Sequence, residues 1–280
     1  MTPRAPRPAP LAAAATLALT LAACAGTTGT DAPAAPGDDA ADVTALTVVL
    51  DWTVNTNHAG LYLARERGYF ADAGLEVEIL EPGDISGLQL VATGDADIAY
   101  SVAESLVPAV EGGVDAVSIA AVIEHNTSSL LCENSTGITR PRDLPGHVYG
   151  SYDSPLENAL ISTLVSCDGG DPAGIETAPL ATDDFRIGLT EDQFDYVWVY
   201  DAWDTIRLRD VDGMDVGTIA FIDHTDCIPD WYTPLLATSR AQLAEDPDAV
   251  RAFLDAVTRG YQDAMAEPSA ASSPSATPGE

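Results

Sequence analysis

Between residues 46 and 68 the chain passes from an apolar run through a polar turn into a helix, and this order constrains the fold more than any other feature. Residues 46–50 form a short apolar segment with two valines, the composition of a buried strand. Leu61, Tyr62, Ala64 and Arg65 follow at helical spacing, and Gly68 stands where a helix C-cap belongs. Between strand and helix, Asp51, Trp52, Asn55, Asn57 and His58 supply an acid, an indole, two amides and an imidazole. Capping a helix takes one such side chain, not five. Open α/β sheets bind ligands at the carboxyl ends of their strands, which is where this turn lies. An exposed Trp beside several hydrogen-bonding groups there suits a flat, polar heterocycle.

The alternation continues along the chain. Leu75–Leu80 alternates apolar and acidic residues, residues 88–92 read as a short helix ending near Gly94, and Ile98–Ser101, with Tyr100, reads as a strand. A helix over 104–112 and a β-branched strand over 114–122 complete a βαβαβ half with a mainly parallel sheet. The polar run 124–129 reads as a crossing into a second lobe. That lobe is expected to hold strands at 147–151, 195–200 and 217–222, and helices at 155–166, with Ser154 as N-cap, and at 202–208. Residues 231–238 return to the first lobe, and 243–265 are helical with Ala249, Phe253, Ala256 and Val257 on one face. The expected organisation is α/β: lobe 1 from 44–128 plus 229–267, lobe 2 from 129–228, with a ligand cleft and hinge between them.

The chain opens with Arg4 and Arg7, an apolar run over 11–23, and Cys24. This pattern is a secretory signal, too short for a stable transmembrane helix. Residues 21–24 (Leu-Ala-Ala-Cys) resemble the bacterial lipobox, which implies cleavage before Cys24 and lipid attachment to its sulfur. Residues 1–23 are thus read as signal peptide, 24–43 as a flexible tether and 268–280 as a disordered tail. The expected location is the extracytoplasmic face of the cell membrane. Acidic residues number 44 against 12 basic ones, all arginine, for a net charge of −32. Such acidity argues against a nucleic-acid partner, whose phosphates it repels. Cys132, Cys167 and Cys227 allow three disulfide pairings with one thiol left over, and their spacing gives no zinc signature. Asp223, Asp226 and Asp230 lack the Gly and terminal Glu of a calcium loop and read as a solvated loop, so no metal is expected. His58 and His125 are expected to cap or pack, and no catalytic residue is nominated.

Residues 46–265 resemble the substrate-binding proteins of bacterial ABC importers. More narrowly they resemble the subgroup that binds the thiamine pyrimidine precursor, related to the fungal thiamine pyrimidine synthases. The resemblance is carried by residues 50–62 (Leu-Asp-Trp-Thr-Val-Asn-Thr-Asn-His-Ala-Gly-Leu-Tyr), 65–70, 94–97, 125–128, 150–157 and 199–204. It implies a bilobal, periplasmic-binding-protein-like fold of type II. It also implies that Trp52 stacks on a ring, with Asn55 and Asn57 as nearby amides. Glu104 falls at a polar position of the cleft, Ser154 and Glu157 on the second-lobe segment facing it, and Trp203 and Asp204 form a Trp–acid pair on the opposite wall. Asp51, His58 and Tyr100 complete the expected ligand-binding set. The implied ligand is an aminopyrimidine held between aromatics, its amino group donating to carboxylates. The implied partners are that ligand, an ABC permease and, through lipid on Cys24, the membrane; the protein is expected to be a monomer without cofactor. Riboflavin or another flat heterocycle is the alternative ligand. An anion such as a sulfonate would favour Lys or Arg at the cleft, where the matching segments offer acids and amides. A synthase is the further alternative; as the resemblance has it, those enzymes hold pyridoxal phosphate as a lysine Schiff base, and this chain has no lysine.

Overall fold

The computed structural model describes residues 43–180 and 184–271. The expected signal peptide, Cys24, the tether up to residue 42 and residues 272–280 of the expected tail lie outside the described residues. The first run of elements is β1 (Thr44–Val49), α1 (Ala59–Glu66), α2 (Tyr69–Asp72), β2 (Leu75–Leu80), α3 (Gly87–Thr93), β3 (Ile98–Ser101), α4 (Ala103–Glu111) and β4 (Val117–Ala121). A second run holds β5 (Ser128–Glu133), β6 (Val148–Ser151), α5 (Pro155–Cys167), β7 (Glu176–Pro179), α6 (Phe185–Thr190), β8 (Tyr196–Tyr200) and β9 (Val216–Ala220). The chain then returns in β10 (Leu235–Thr238), α7 (Arg240–Glu245) and α8 (Pro247–Ala266).

Two five-stranded sheets result, in the orders β2-β1-β3-β10-β4 and β7-β6-β8-β5-β9. This is the bilobal α/β arrangement of type II. In each sheet the strand that runs against the others is the first after a crossing. β10 is antiparallel to β3 and β4, and β5 is antiparallel to β8 and β9. The reason is topological. Parallel strands end at the cleft, so the chain leaves each lobe there and enters the next there. Its first strand must therefore run away from the cleft, against its neighbours. The carboxyl ends of the remaining strands in both sheets converge on one crevice, the place where such sheets bind ligands.

Each sheet is covered on both faces. In lobe 1, Leu46 and Val48 of β1 join α1 and α8 through Leu61, Phe253 and Val257, while Val49 joins Leu88 and Leu106 on the other side. In lobe 2, Leu130, Tyr149, Tyr196 and Trp198 pack with Ile161 and Leu164 of α5, and Leu131, Val197 and Val199 pack with Phe185 and Leu189. The predicted face of α8 is the buried one: Ala249, Phe253, Ala256 and Val257 all lie inside. Gly68 closes α1 with φ +74, a conformation that glycine adopts without a Cβ penalty.

Several expectations are corrected. The helix expected over 202–208 is wound as a π-helix, over Asp201–Thr205 and Arg207–Val211. The helix over 243–265 is two, because Pro247 starts α8 without an N–H while the Asp246 carboxylate accepts the Ala249 N–H at 3.0 Å. Residues 268–271 of the expected disordered tail form a helical turn. β7, with the sequence Glu-Thr-Ala-Pro, has no apolar alternation; it is a mostly exposed edge strand that can carry a Pro. Of the three disulfide pairings the structure has Cys167–Cys227, with Cα atoms 5.9 Å apart, and Cys132 is a buried free thiol. Asp226 lies beside that disulfide, but both sulfurs are bonded to each other and offer no thiolate to an ion.

Candidate functional site

The polar turn after β1 is held mainly by its own side chains. Asn55 caps the 3-10 turn Thr56–His58: its Oδ1 accepts the Asn57 N–H at 2.8 Å, and its Nδ2 donates to the Thr53 carbonyl at 3.0 Å. His58 is fully buried. Its Nδ1 accepts the Asn55 N–H at 3.2 Å, which requires the ring proton on Nε2, and Nε2 donates to Asp51 Oδ1 at 2.8 Å. The imidazole edge meets the Tyr100 ring at 90° and 5.0 Å. Both nitrogens are therefore engaged. His58 orients Asp51 and closes the loop, and neither nitrogen is left for a ligand.

Across the crevice stands the π-wound stretch of lobe 2. Thr56 Oγ1 donates to the Ala202 carbonyl at 3.2 Å, so the two lobes touch here. Beside this contact lies a cleft of ≈ 180 Å³ lined by Trp52 and Thr53 from lobe 1 and by Asp184, Trp203, Asp204 and Arg207 from lobe 2. Two indoles from opposite lobes thus share one cavity with two carboxylates and a guanidinium. Asp204 Oδ2 accepts the Tyr200 N–H at 3.0 Å. Burial pushes its carboxyl up to about 6, against the pull of that N–H and of Arg207. Asp201 accepts from the hydroxyls of Ser129 at 2.5 Å and Thr205 at 2.7 Å, which fixes the start of the π-turn to β5.

Other expected residues have partners within the protein. Glu104, in the first turn of α4, accepts the Trp231 indole N–H at 2.9 Å and lies 3.5 Å from the Thr233 hydroxyl. Burial raises its carboxyl above the ordinary range. It ties the returning crossing to lobe 1. Glu157 is 3 % exposed and takes four donors from its own lobe: the Tyr149 hydroxyl, the Ser151 hydroxyl at 3.2 Å, and the N–H groups of Tyr152 and Ser154 at 3.1 and 3.2 Å. With Ser154 it forms the capping box of α5. All four of these donors come from lobe 2. Tyr100 is buried, its hydroxyl 2.8 Å from that of Tyr261. Asn57 is half-buried.

Three cleft residues, Thr53, Asp184 and Arg207, were not nominated from the sequence. Asp184 and Arg207 follow no motif, and a lone Arg on a polar stretch ordinarily marks a solvated face. Arg207 also corrects the expectation of a cleft holding only acids and amides. Tyr200, at the carboxyl end of β8, has its hydroxyl pushed well above the ordinary range by burial and by the charges of Glu104 and Asp51. It comes from lobe 2 yet feels both lobe 1 carboxylates, which places it at the junction. Its position at a strand end was the available signal.

The two crossings are braced to one another. Asp230 accepts from His125 Nδ1 at 2.6 Å and from the Asn126 N–H at 2.9 Å, which corrects its reading as a solvated acid. These two donors hold the Asp230 carboxyl below its ordinary value, and the His125 imidazole is raised in turn. Asn126 Nδ2, Thr127 Oγ1 and Ser128 Oγ in the same crossing are buried without a partner among the described residues. Groups of this kind ordinarily have a water or ligand partner.

Known proteins resemble this chain in sequence and in fold. The formylaminopyrimidine-binding protein of Halalkalibacterium halodurans is 27% identical over 250 residues, covering 87% of this chain and 71% of that protein. A protein of Aspergillus parasiticus named 4-amino-5-hydroxymethyl-2-methylpyrimidine phosphate synthase is 25% identical, covering 81% of this chain and 68% of that one. Among solved structures, the periplasmic aliphatic sulphonate binding protein SsuA of Escherichia coli superimposes with a TM-score of 0.62 at 16% identity, over 84% of this chain and 75% of that one. At that identity the likeness is one of fold. The family described as NMT1/THI5 like matches residues 55–271, well over half of the sequence, and the chain belongs to that family.

Proposed function

We propose that this protein is the solute-binding component of an ABC importer and captures an aminopyrimidine precursor of thiamine. The observation that carries the reading is the pair of indoles, Trp52 and Trp203, which line one cleft from opposite lobes beside Asp204. A pyrimidine has two apolar faces and a polar rim. Two facing aromatics suit the faces, at roughly 0.5–1.5 kcal/mol per stacked pair beyond area burial. A carboxylate suits the exocyclic amine, and the bond is charge-assisted when the ring is protonated. Trp52, Trp203 and Asp204, with Asp51 and Asn57 beside them, are the proposed contacts. The two lobes, 44–128 plus 229–267 and 129–228, close on the ligand by hinge motion about the braced crossings.

The named relative from Halalkalibacterium halodurans supports the ligand class. The synthase named in Aspergillus parasiticus raises the enzyme reading. Against that reading stand the absence of lysine and the complete engagement of His58 inside its loop. No helix among the described residues is long and apolar enough to cross a membrane. Export by the N-terminal signal, anchoring by lipid on Cys24 and delivery of the ligand to a permease complete the proposal.

Calorimetric titration of the purified protein against 4-amino-5-hydroxymethyl-2-methylpyrimidine, its formylaminomethyl analogue and riboflavin tests it. One pyrimidine should bind at micromolar concentration or tighter while riboflavin is silent. Riboflavin binding alone would discard the thiamine assignment and keep the binding-protein class.

A further inference from the structure

The last long helix reaches the cleft loop from behind. α8 crosses α1 where Gly260 meets Gly60: a Cβ built on Gly260 lies 2.0 Å from the Gly60 carbonyl oxygen, and one built on Gly60 lies 2.2 Å from Tyr261 Cγ. Glycine at 260 lets the two backbones come this close, and glycine at 60 leaves room for the Tyr261 ring. The approach lays the Tyr261 ring over Gly60, and its hydroxyl arrives within hydrogen-bond distance of two partners, the Asn57 carbonyl and the Tyr100 hydroxyl. The direction of these bonds is fixed by chemistry. A carbonyl only accepts, so Tyr261 donates to Asn57, and its oxygen is then free to accept from Tyr100. Burial raises both phenols above their ordinary range, so both stay protonated at neutral pH.

Asn57 is the middle residue of the 3-10 turn whose N–H groups and imidazole organise Asp51, Asn55 and His58. Tyr100, the donor to Tyr261, is also the ring against which His58 packs. The loop that carries Trp52 is therefore fixed from inside by His58 and from behind by a hydroxyl 204 residues further along the chain. Held rigid, such a loop loses less conformational freedom when a ligand binds.

We propose that Tyr261 is a positioning residue for the cleft: its hydroxyl, delivered by the Gly60–Gly260 crossing, sets the conformation of the 51–58 loop without touching the ligand. The effect on affinity rests on the binding-protein reading; the effect on the loop does not. The test is Tyr261→Phe in the full chain, read by local hydrogen exchange of the free protein and by pyrimidine titration. Loss of one buried hydrogen bond should speed exchange over residues 51–62 about threefold to tenfold and weaken pyrimidine binding by a similar factor. Peptides from lobe 2 should exchange as before. Tyr69→Phe is the control, because Tyr69 donates to Asp263 on the same helix away from the loop. A merely structural hydroxyl makes the two variants behave alike, with no change confined to 51–62, and that result overturns the proposal. Should Tyr261→Phe be too unstable to purify, native-state exchange of the unaltered protein decides: the amides of 51–62 should open together with those of 255–262, and opening of 51–62 while 255–262 stay closed overturns the proposal equally. A native protein that binds neither pyrimidine overturns the functional reading, while the exchange comparison still decides the role of Tyr261.

Discussion

In lobe 1 the cleft wall is a loop, residues 51–58, whose polar groups bond mainly to one another, whereas in lobe 2 it is a π-wound turn that turns Trp203, Asp204 and Arg207 toward the cavity. The first wall uses an imidazole and an asparagine to hold its shape and presents Trp52 and Thr53. The second fastens its backbone through Asp201 and the Tyr200 N–H and leaves more of its chemistry facing outward. A dense run of polar residues therefore marks two different jobs. Some of its members keep the loop in place so that others can meet a ligand.

Substitutions should separate the two walls. The largest effect belongs inside the first. His58→Ala removes a buried ring and strands the Asn55 N–H, and should lower stability by about 2–4 kcal/mol in urea unfolding. A loss below about 1 kcal/mol would mean that the imidazole does not hold the loop. Next come the cavity-facing indoles. Trp203→Ala and Trp52→Ala should each weaken pyrimidine binding by about 1–3 kcal/mol while the melting temperature barely moves. A large fall in melting temperature for Trp203→Ala would place that residue in the core and erase the contrast between the walls.

Asp204 gives a smaller, pH-dependent effect. Its carboxyl is raised to about 6, so below that value it is largely protonated and a poorer acceptor. Affinity for the pyrimidine should rise as pH climbs through this range, and Asp204→Asn should flatten the profile between about pH 5 and about pH 7. The sign for folding is opposite: an acid with a raised folded-state value binds more protons when folded, so its contribution to stability falls as pH rises from the ordinary Asp value to about 6. A native affinity that is flat across this range would take Asp204 out of the contact. The smallest effect belongs to the brace at the crossings. The Asp230 contribution is present above the ordinary Asp value and lost as pH falls; the His125 contribution is present below the ordinary His value and lost as pH rises. His125→Gln should therefore lower the melting temperature slightly between about pH 4 and about pH 6.5, less so in high salt. An equal loss at every pH would assign the effect to packing.

Much of the fold was legible because the strands are short, apolar and bounded by turn residues. Leu75–Leu80 and Ile98–Ser101 have the expected bounds, and Gly68 and Gly94 cap helices with positive φ as their positions suggest. β7 was not legible, since an exposed edge strand needs no apolar face to pair with β6. The π-winding after Tyr200 was not legible either; its first residue, Asp201, is bonded by Ser129 of the distant β5 as well as by Thr205 of its own turn. At the site, the polar turn singled out Trp52 and the family resemblance added Trp203 and Asp204, which the fold brings to one cavity. The sequence could not tell them from His58, Glu157 or Tyr100, because whether a polar group faces a ligand or a neighbour is decided by tertiary packing. Nor could it find Arg207 or Tyr261, whose roles arise only when distant elements meet.

The most direct test of the central claim is the position of the pyrimidine ring in a crystal of the protein grown with its formylaminomethyl pyrimidine. The account predicts the ring between Trp52 and Trp203, with its amino group toward Asp204. A ring bound elsewhere, or one that touches a single lobe, would contradict it.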